Sequence, residues 1–277
     1  MTSLLENQST FALPYERDGY ERDGFFIHAD PVLGADLITR AGTGLEAVRN
    51  GVYETGEAPH GREWNPGDNP HALAKIEQPQ LSNLALREAI ASSRLGEIAA
   101  AATGAQKVQV WWVQGLYKPG VSTHPTSDQG QPAATNVGWH QDRFYWDAWE
   151  EGSELFTAWL ALSDVTSDAG PMVFVPGSHR WGLREGGDFF SQDQEALKNA
   201  IQVPSGEEWR EVQDVLPPGG LSLHHQLLIH GSHANRSNAP RRSLAIHLCT
   251  QNARPKPGGW VDKFLDRSDI CPVIFER

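Results

Sequence analysis

The feature that most constrains the fold of this chain is a change in residue pattern after Gly104. From there to residue 250, short apolar runs rich in β-branched and aromatic residues alternate with turns rich in Gly and Pro. The runs that predict strands are 108–117, 154–162, 172–175, 221–230 and 243–249. Short strands separated by such turns are typical of an antiparallel β-sandwich or jelly roll.

The first third of the chain has helical periodicity instead. Apolar residues recur at helical spacing across residues 32–50, and Gly51 stands where a helix would stop. Residues 82–104 show the strongest helix pattern, with Ser82 as a candidate cap and Gly104 as the stop. We therefore predict a mainly β protein whose N-terminal helices pack outside a β core.

The chain contains no internal repeat and no low-complexity linker, so one domain over residues 1–277 is the simplest organisation. Within it we predict a helical N-terminal part (1–104), a β core (105–252) and a C-terminal tail (253–277). A single core of this length is within the usual range for closed β architectures.

Charge and cysteine content argue against several classes of partner. The formal net charge is −12 and no run of Lys and Arg occurs, which disfavours a surface for duplex nucleic acid or anionic membrane. No apolar stretch is long enough to span a membrane. The two cysteines, Cys249 and Cys271, are too few for a disulfide framework, and the first ten residues do not resemble a signal peptide. We expect a cytoplasmic protein that binds a small molecule, with the oligomeric state left open.

The candidate chemistry begins with His140-Gln141-Asp142. On an extended backbone, residues i and i+2 point to the same face, so the imidazole and the carboxylate converge. His230 follows an apolar run. Two histidines and one carboxylate on one side of a metal form the facial triad of non-haem Fe(II) oxygenases. The tripeptide alone is common, and taken by itself it fits a polar strand end in water better than a metal site.

A candidate anion-binding group strengthens this interpretation. Arg241 follows His230 by eleven residues and begins a strand-like run, and its guanidinium could bind a carboxylate in a bidentate pair. Ser232 could add a hydroxyl donor to the same carboxylate. Strand alternation allows only one of the neighbours Arg241 and Arg242 to face inward.

Three segments together resemble the phytanoyl-CoA dioxygenase-like family of Fe(II)/2-oxoglutarate oxygenases. They are GWHQDRFYW, AWLALSDVTSDAGPMVFVPGSHRWG and LLIHGSHANRSNAPRRSLAIH, in that order along the chain. The resemblance covers residues 15–275, and residues 105–250 are its specific part. It implies a double-stranded β-helix, the cupin-like relative of the jelly roll that the strand pattern predicts.

The resemblance also implies roles for individual residues. His140, Asp142 and His230 match the iron ligands of the family, and Asp142 argues against halogenation because family halogenases have Gly or Ala there. Arg241 matches the arginine that anchors the distal carboxylate of 2-oxoglutarate, and Ser232 matches the hydroxyl residue beside it.

Other positions match the family less specifically. Trp159 matches a tryptophan that lines the cosubstrate site. Lys75 and Gln114 match positions near 2-oxoglutarate, although an exposed lysine and a polar strand residue account for them equally well. Of the other histidines, His247 is predicted to be a hydrogen-bonded core residue and His233 a solvated loop residue.

The activity that the resemblance implies is oxidation by O2 coupled to decarboxylation of 2-oxoglutarate to succinate, with hydroxylation of an unactivated C–H as the leading outcome. Desaturation, epimerisation and cyclisation use the same iron centre and stay open, as do a zinc hydrolase and a non-catalytic binding protein. Loops at 53–75, 119–137 and 184–212, the last with a polar helical pattern, are expected to set specificity. These loops contain few Lys and Arg residues that could bind the phosphates of a CoA thioester, which favours a free metabolite as substrate.

Overall fold

Two antiparallel β-sheets form the centre of the computed structural model, which describes residues 14–121 and 135–277. The strands are β1 (Phe25–His28), β2 (Gly61–Arg62), β3 (Ala74–Glu77), β4 (Lys107–Lys118), β5 (Val137–His140), β6 (Leu155–Ala161), β7 (Met172–Phe174), β8 (Val212–Asp214), β9 (Leu221–His225), β10 (His230–Ser232), β11 (Arg241–Thr250) and β12 (Val273–Glu276). The helices are α1 (Pro14–Asp23), α2 (Ala35–Arg49), α3 (Leu84–Ile90), α4 (Ser93–Thr103), α5 (Gln194–Ala200) and α6 (Asp262–Leu265).

The larger sheet has eight strands in the order β1-β9-β6-β11-β4-β3-β2, with β12 also paired to β4. One face of this sheet packs against α2, α3 and α4 in a continuous apolar cluster that includes Leu45, Ile90, Leu95, Phe156 and Leu244. The helices thus lie outside the β core, as the sequence predicts.

The smaller sheet has four strands in the order β5-β10-β7-β8. It faces the other side of the larger sheet, because Trp159 and Ala245 of the larger sheet share an apolar cluster with Val137, Met172 and Phe174 of the smaller one. The alternation of side chains along β6 makes this possible, since Ala158 belongs to the helix-side cluster while its neighbour Trp159 belongs to the cluster between the sheets.

The predicted helix over 82–104 is wrong as a single element. The chain forms two helices, α3 and α4, and Ser92 caps the second by accepting a hydrogen bond from the Leu95 amide at 3.3 Å. Asn83 rather than Ser82 caps α3. The apolar spacing continues through the break, so periodicity alone did not show it; Gly104 ends α4 as predicted.

The predicted strand over 221–230 is divided in the same way. β9 ends at His225 in the larger sheet, and β10 begins at His230 in the smaller sheet. The turn between them is closed by the amide of Leu228, which donates to the carbonyl of His225 at 2.8 Å. Because this turn contains neither Gly nor Pro, the sequence carries no signal for it.

Strands also come from segments where none was predicted. The N-terminal part, predicted to be helical, contributes β1, β2 and β3, and the C-terminal tail contributes β12. The polar stretch 184–212 is helical only over α5. Most of the expected loop 119–137 lies outside the described residues. Within the described ranges, no helix is both long enough and apolar enough to cross a membrane.

Candidate active site

The first cluster of site residues is formed where β5 and β10 pair. His230 lies directly opposite His140 in this pairing. Gln141 is extended (φ −120°, ψ 130°), so Asp142 faces the same side as His140 although it begins a short 3-10 helix. Nε2 of His140 and Nε2 of His230 both lie 3.7 Å from Oδ1 of Asp142. All three side chains are buried, and one ligand atom from each lies within 4.8 Å of the others.

Backbone carbonyls determine which nitrogen of each histidine carries the proton. Nδ1 of His140 donates to the carbonyl of Gly138 at 2.8 Å, and Nδ1 of His230 donates to the carbonyl of Leu228 at 2.9 Å. A carbonyl can only accept, so each Nε2 of a neutral ring keeps its lone pair. The two lone pairs and Oδ1 of Asp142 are a donor set that suits a divalent transition metal.

The second carboxylate oxygen of Asp142, Oδ2, is contacted by two residues outside the three-residue cluster. Oδ2 accepts the Thr157 hydroxyl at 2.7 Å, and Nε2 of His224 lies 3.2 Å away. Burial opposes ionisation of this carboxyl, but the neighbouring His230, His140 and His224 outweigh that effect and hold the pKa of Asp142 well below its usual value. Asp142 is therefore an oriented carboxylate.

His247 completes this arrangement as a hydrogen-bonded interior residue, as predicted. Its Nδ1 lies 2.9 Å from the Thr157 hydroxyl, which itself donates to Asp142, so Nδ1 is the donor. Burial lowers the pKa of His247 to about 4. The ring is therefore neutral at physiological pH.

A narrow cavity of about 20 Å³ connects the three clustered residues to Arg241. Trp159, Ser232 and Gln114 also line this cavity. The Arg241 side chain is fully buried, its Nη1 donates to the carbonyl of Gly170 at 2.6 Å, and its guanidinium carbon lies 5.1 Å from the Trp159 ring centroid.

The guanidinium of Arg241 has fewer hydrogen-bond acceptors around it than it has N–H donors. Nε and Nη2 have no hydrogen-bond partner among the described residues, and burial lowers the pKa of Arg241 to about 9. A buried guanidinium with two unpaired nitrogens is costly unless an anion completes it. Its neighbour Arg242 lies on the other face of β11, where it pairs with Glu46 of α2.

A second, wider cavity of about 230 Å³ also borders His140 and Asp142. Its walls are largely aromatic, with Trp111, Trp112, Trp146, Trp260, Tyr145, Phe189 and Phe190 among them. Lys75 lines this wider cavity rather than the narrow one, and its Nζ pairs with Glu77 at 2.7 Å. Gln114 borders both cavities.

Four residues around the site were not singled out correctly from the sequence. The sequence analysis did not single out Thr157, Lys118 or His224. His233, expected in a solvated loop, is half-buried, and its Nδ1 lies 2.6 Å from Oε1 of Gln194. For Lys118, a charged residue that ends a long apolar strand was the available signal. The others carry no local signal.

A double-stranded β-helix with two histidines and a carboxylate clustered at paired strands defines the class of non-haem iron, 2-oxoglutarate-dependent oxygenases. Residues 20–243 match the family model described as Phytanoyl-CoA dioxygenase (PhyH). The chain belongs to this family, which confirms the resemblance inferred from the three sequence segments.

Individual relatives are distant. The chain is 23% identical over 203 residues to a probable alpha-ketoglutarate-dependent hypophosphite dioxygenase of Stutzerimonas stutzeri, a match that covers 71% of this chain and 64% of that protein. The chain therefore spans somewhat less than two thirds of that relative.

Solved structures share the fold. The carbocyclase SnoK from nogalamycin biosynthesis superposes with a TM-score of 0.66 at 22% identity, covering 92% of this chain and 90% of its own. The epimerase SnoN, in complex with Fe3+, alpha ketoglutarate and nogalamycin RO, gives a TM-score of 0.64 at 22% identity, covering 91% and 90%. The predicted fold class is thereby confirmed.

Proposed function

We propose that this protein is an Fe(II)- and 2-oxoglutarate-dependent dioxygenase that hydroxylates an unactivated C–H of a small metabolite and releases succinate and CO2. One observation carries the proposal: a cluster of two histidines and a carboxylate shares a narrow cavity with a buried arginine that lacks acceptors. Iron bound there would supply O2 activation, with 2-oxoglutarate as the reductant.

His140, Asp142 and His230 would hold the metal. They would supply two imidazole nitrogens and one carboxylate oxygen, so further coordination positions would remain for cosubstrate and O2. The hydrogen bonds from Thr157 and His224 keep Asp142 oriented with Oδ1 toward the histidines.

Arg241 and Ser232 would bind the distal carboxylate of 2-oxoglutarate, with Trp159 as a wall beside it. The free edge of the guanidinium, Nε and Nη2, suits a bidentate carboxylate. Gln114 borders both cavities, so it would lie between cosubstrate and substrate. Lys75 borders the wider cavity, so we assign it to the substrate side rather than to 2-oxoglutarate.

The substrate would occupy the wider cavity. Its volume of about 230 Å³ is below that of sites for drug-sized ligands, which favours a small molecule. Aromatic walls exclude water from the reacting carbon, and Lys75 with Glu77 provides one polar pair for orientation. The structural neighbours named as an epimerase and a carbocyclase show that this fold also serves other outcomes, so products must be identified directly.

The test is succinate formation from 2-oxoglutarate by the reconstituted protein, with O2 consumption recorded in parallel. We expect slow turnover without organic substrate that requires both Fe(II) and O2 and is lost in His140→Ala. Absence of both succinate and 2-oxoglutarate-dependent O2 consumption in the Fe(II) protein, without binding of 2-oxoglutarate, would overturn the proposal and favour the hydrolase alternative. Binding of 2-oxoglutarate without any succinate from the Fe(II) protein would support a binding protein.

A further inference from the structure

Lys118, the last residue of β4, is a buried cation with no role in the function proposed above. Its side chain is fully buried, and it lies directly opposite Arg241 in the pairing of β4 with β11. Lysine is rarely buried to this extent without compensation of its charge. Among the described residues, its hydrogen-bond partners are neutral oxygens: Oγ of Ser232 at 2.6 Å, the carbonyl of His233 at 2.5 Å and the carbonyl of Ser232 at 3.4 Å.

These contacts determine the direction of the Ser232 hydroxyl. An ammonium has three protons, and three oxygens are present to accept them. Because Oγ of Ser232 accepts from Lys118, the hydroxyl proton of Ser232 must be donated to another group. Within the described part of the chain, this hydroxyl has no hydrogen-bond partner other than Lys118. Ser232 lines the narrow cavity together with Arg241, whose Nε and Nη2 also lack acceptors.

We propose that Lys118 is a positioning residue of the distal-carboxylate site, which holds the Ser232 hydroxyl as a donor toward the ligand and adds a second positive charge beside Arg241. This inference rests on the proposed function, because it assumes that a 2-oxoglutarate carboxylate occupies the cavity. Burial, and secondarily Arg241, lowers the pKa of Lys118, and a bound carboxylate favours the ammonium form again.

The consequence is selectivity for the second carboxylate of the cosubstrate. Lys118 does not reach the keto-acid end through any contact with His140, Asp142 or His230, so its effect is confined to the distal group. A 2-oxo acid that lacks a distal carboxylate, such as 2-oxobutyrate, gains nothing from Lys118. The comparison of 2-oxoglutarate with 2-oxobutyrate therefore isolates the contribution of Lys118.

The experiment is calorimetric titration of both oxo acids into Zn(II)-loaded protein, which binds without turnover. Lys118→Met and Ser232→Ala are each expected to weaken binding of 2-oxoglutarate about 10- to 150-fold, the range for a lost hydrogen bond to a charged group. Affinity for 2-oxobutyrate and for Zn(II) should stay within about twofold of wild type. The double variant should lose clearly less than the product of the two single losses, because Lys118 acts partly through Ser232.

Lys118→Gln separates the hydrogen bond from the charge. It keeps a donor for Ser232, so its loss of 2-oxoglutarate affinity should be smaller than that of Lys118→Met, and it replaces Lys118→Met if that variant does not fold by circular dichroism. Equal losses in the two variants, or single losses that multiply in the double variant, would overturn the inference.

The same titrations distinguish this inference from the proposed function. Wild-type protein that binds 2-oxoglutarate no better than 2-oxobutyrate would overturn the distal-carboxylate site itself. Wild-type protein that discriminates, with Lys118→Met discriminating equally well, would overturn the role of Lys118 and leave the proposed function intact.

Discussion

Single protons determine whether the site residues are ready to bind a metal. Carbonyl acceptors hold the proton of His140 and His230 on Nδ1. Burial, with the neighbouring His140 and His224, lowers the pKa of His230, while the surrounding histidines keep Asp142 ionised. Neutral imidazoles and an ionised carboxylate are the forms that coordinate a metal, so the directions of the pKa shifts of His230 and Asp142 both favour metal binding.

The first prediction concerns the three proposed ligands. His140→Ala, Asp142→Ala and His230→Ala should each weaken Fe(II) binding by more than about 100-fold, since loss of an outer-shell partner alone typically costs 10- to 100-fold. Metal content after dialysis and circular dichroism of each variant check this. His233→Ala is the matched control, because its imidazole contacts Gln194 instead. Loss of iron in the control variant would show that the distal ligand has been misassigned.

The second prediction concerns neighbouring arginines on opposite faces of β11. Arg241→Leu should raise KM for 2-oxoglutarate about 10- to 150-fold, the equivalent of 1.5–3 kcal/mol for hydrogen bonds to a charged group. Arg242→Leu should have little effect on KM, because Arg242 pairs with Glu46 at the surface of α2. Cosubstrate titrations at saturating iron check both variants. A larger effect in Arg242→Leu would contradict the assignment.

At the level of elements, the site depends on close approach between β5 and the segment before α5. An added Cβ at Gly138 would lie 2.1 Å from the carbonyl oxygen of Asp188 and 2.9 Å from that of Ser191. This contact brings the Phe189 ring to 5.1 Å from the His140 ring, where Phe189 lines both cavities. Glycine at position 138 therefore lets the segment close over the first histidine.

The third prediction tests this approach. Gly138→Ala should destabilise the protein by about 1–3 kcal/mol, the usual cost of overpacking, because the obstructing atoms are backbone. The matched control is Gly61→Ala in β2, where an added Cβ finds its nearest neighbour at 3.9 Å and should change stability by less than about 0.5 kcal/mol. Urea unfolding of the metal-free proteins measures both. Equal stability of the two variants would contradict the packing argument.

For the whole molecule, buried titratable groups determine how stability changes with pH. Burial lowers the pKa of His225 and of His247 from the ordinary histidine value of 6.5 to about 4. Between these two pH values the unfolded chain therefore binds protons on both histidines that the folded chain does not bind. Burial also raises the pKa of Asp214 to about 7, which acts in the opposite direction. The pKa of His230 and of His179 is lowered as well, so the histidines outweigh Asp214.

The fourth prediction follows from this balance. Because the unfolded chain binds more protons than the folded chain between pH 6.5 and 4, the metal-free protein should lose stability as pH falls through this window, by about 1.4 kcal/mol per pH unit for each net proton. Urea midpoints at pH 7, 6 and 5 measure the slope. Asp214→Asn should steepen it, and His225→Asn should reduce it. A flat profile in wild type would contradict the assignment.

Local sequence determined the fold class and most of the proposed site. Strand-length apolar runs with Gly and Pro turns predicted the sheets, and the spacing from His140 to Asp142 needs nothing beyond an extended Gln141, which the structure shows. Strand alternation predicted that only one of Arg241 and Arg242 faces inward, and the family resemblance indicated Arg241. These predictions depend on contacts within a few residues, where backbone geometry leaves few choices.

Only the tertiary structure decided the rest. The break between β9 and β10 follows from which sheet each strand pairs with, since the residues between them carry no turn signal. Lys118 is a site candidate only because β4 pairs with β11 and brings it beside Ser232. The cavity that Lys75 borders likewise depends on the pairing of β3 with β4. The burial and the electrostatic environment of these residues depend on segments that are distant in the sequence, so no local sequence pattern encodes them.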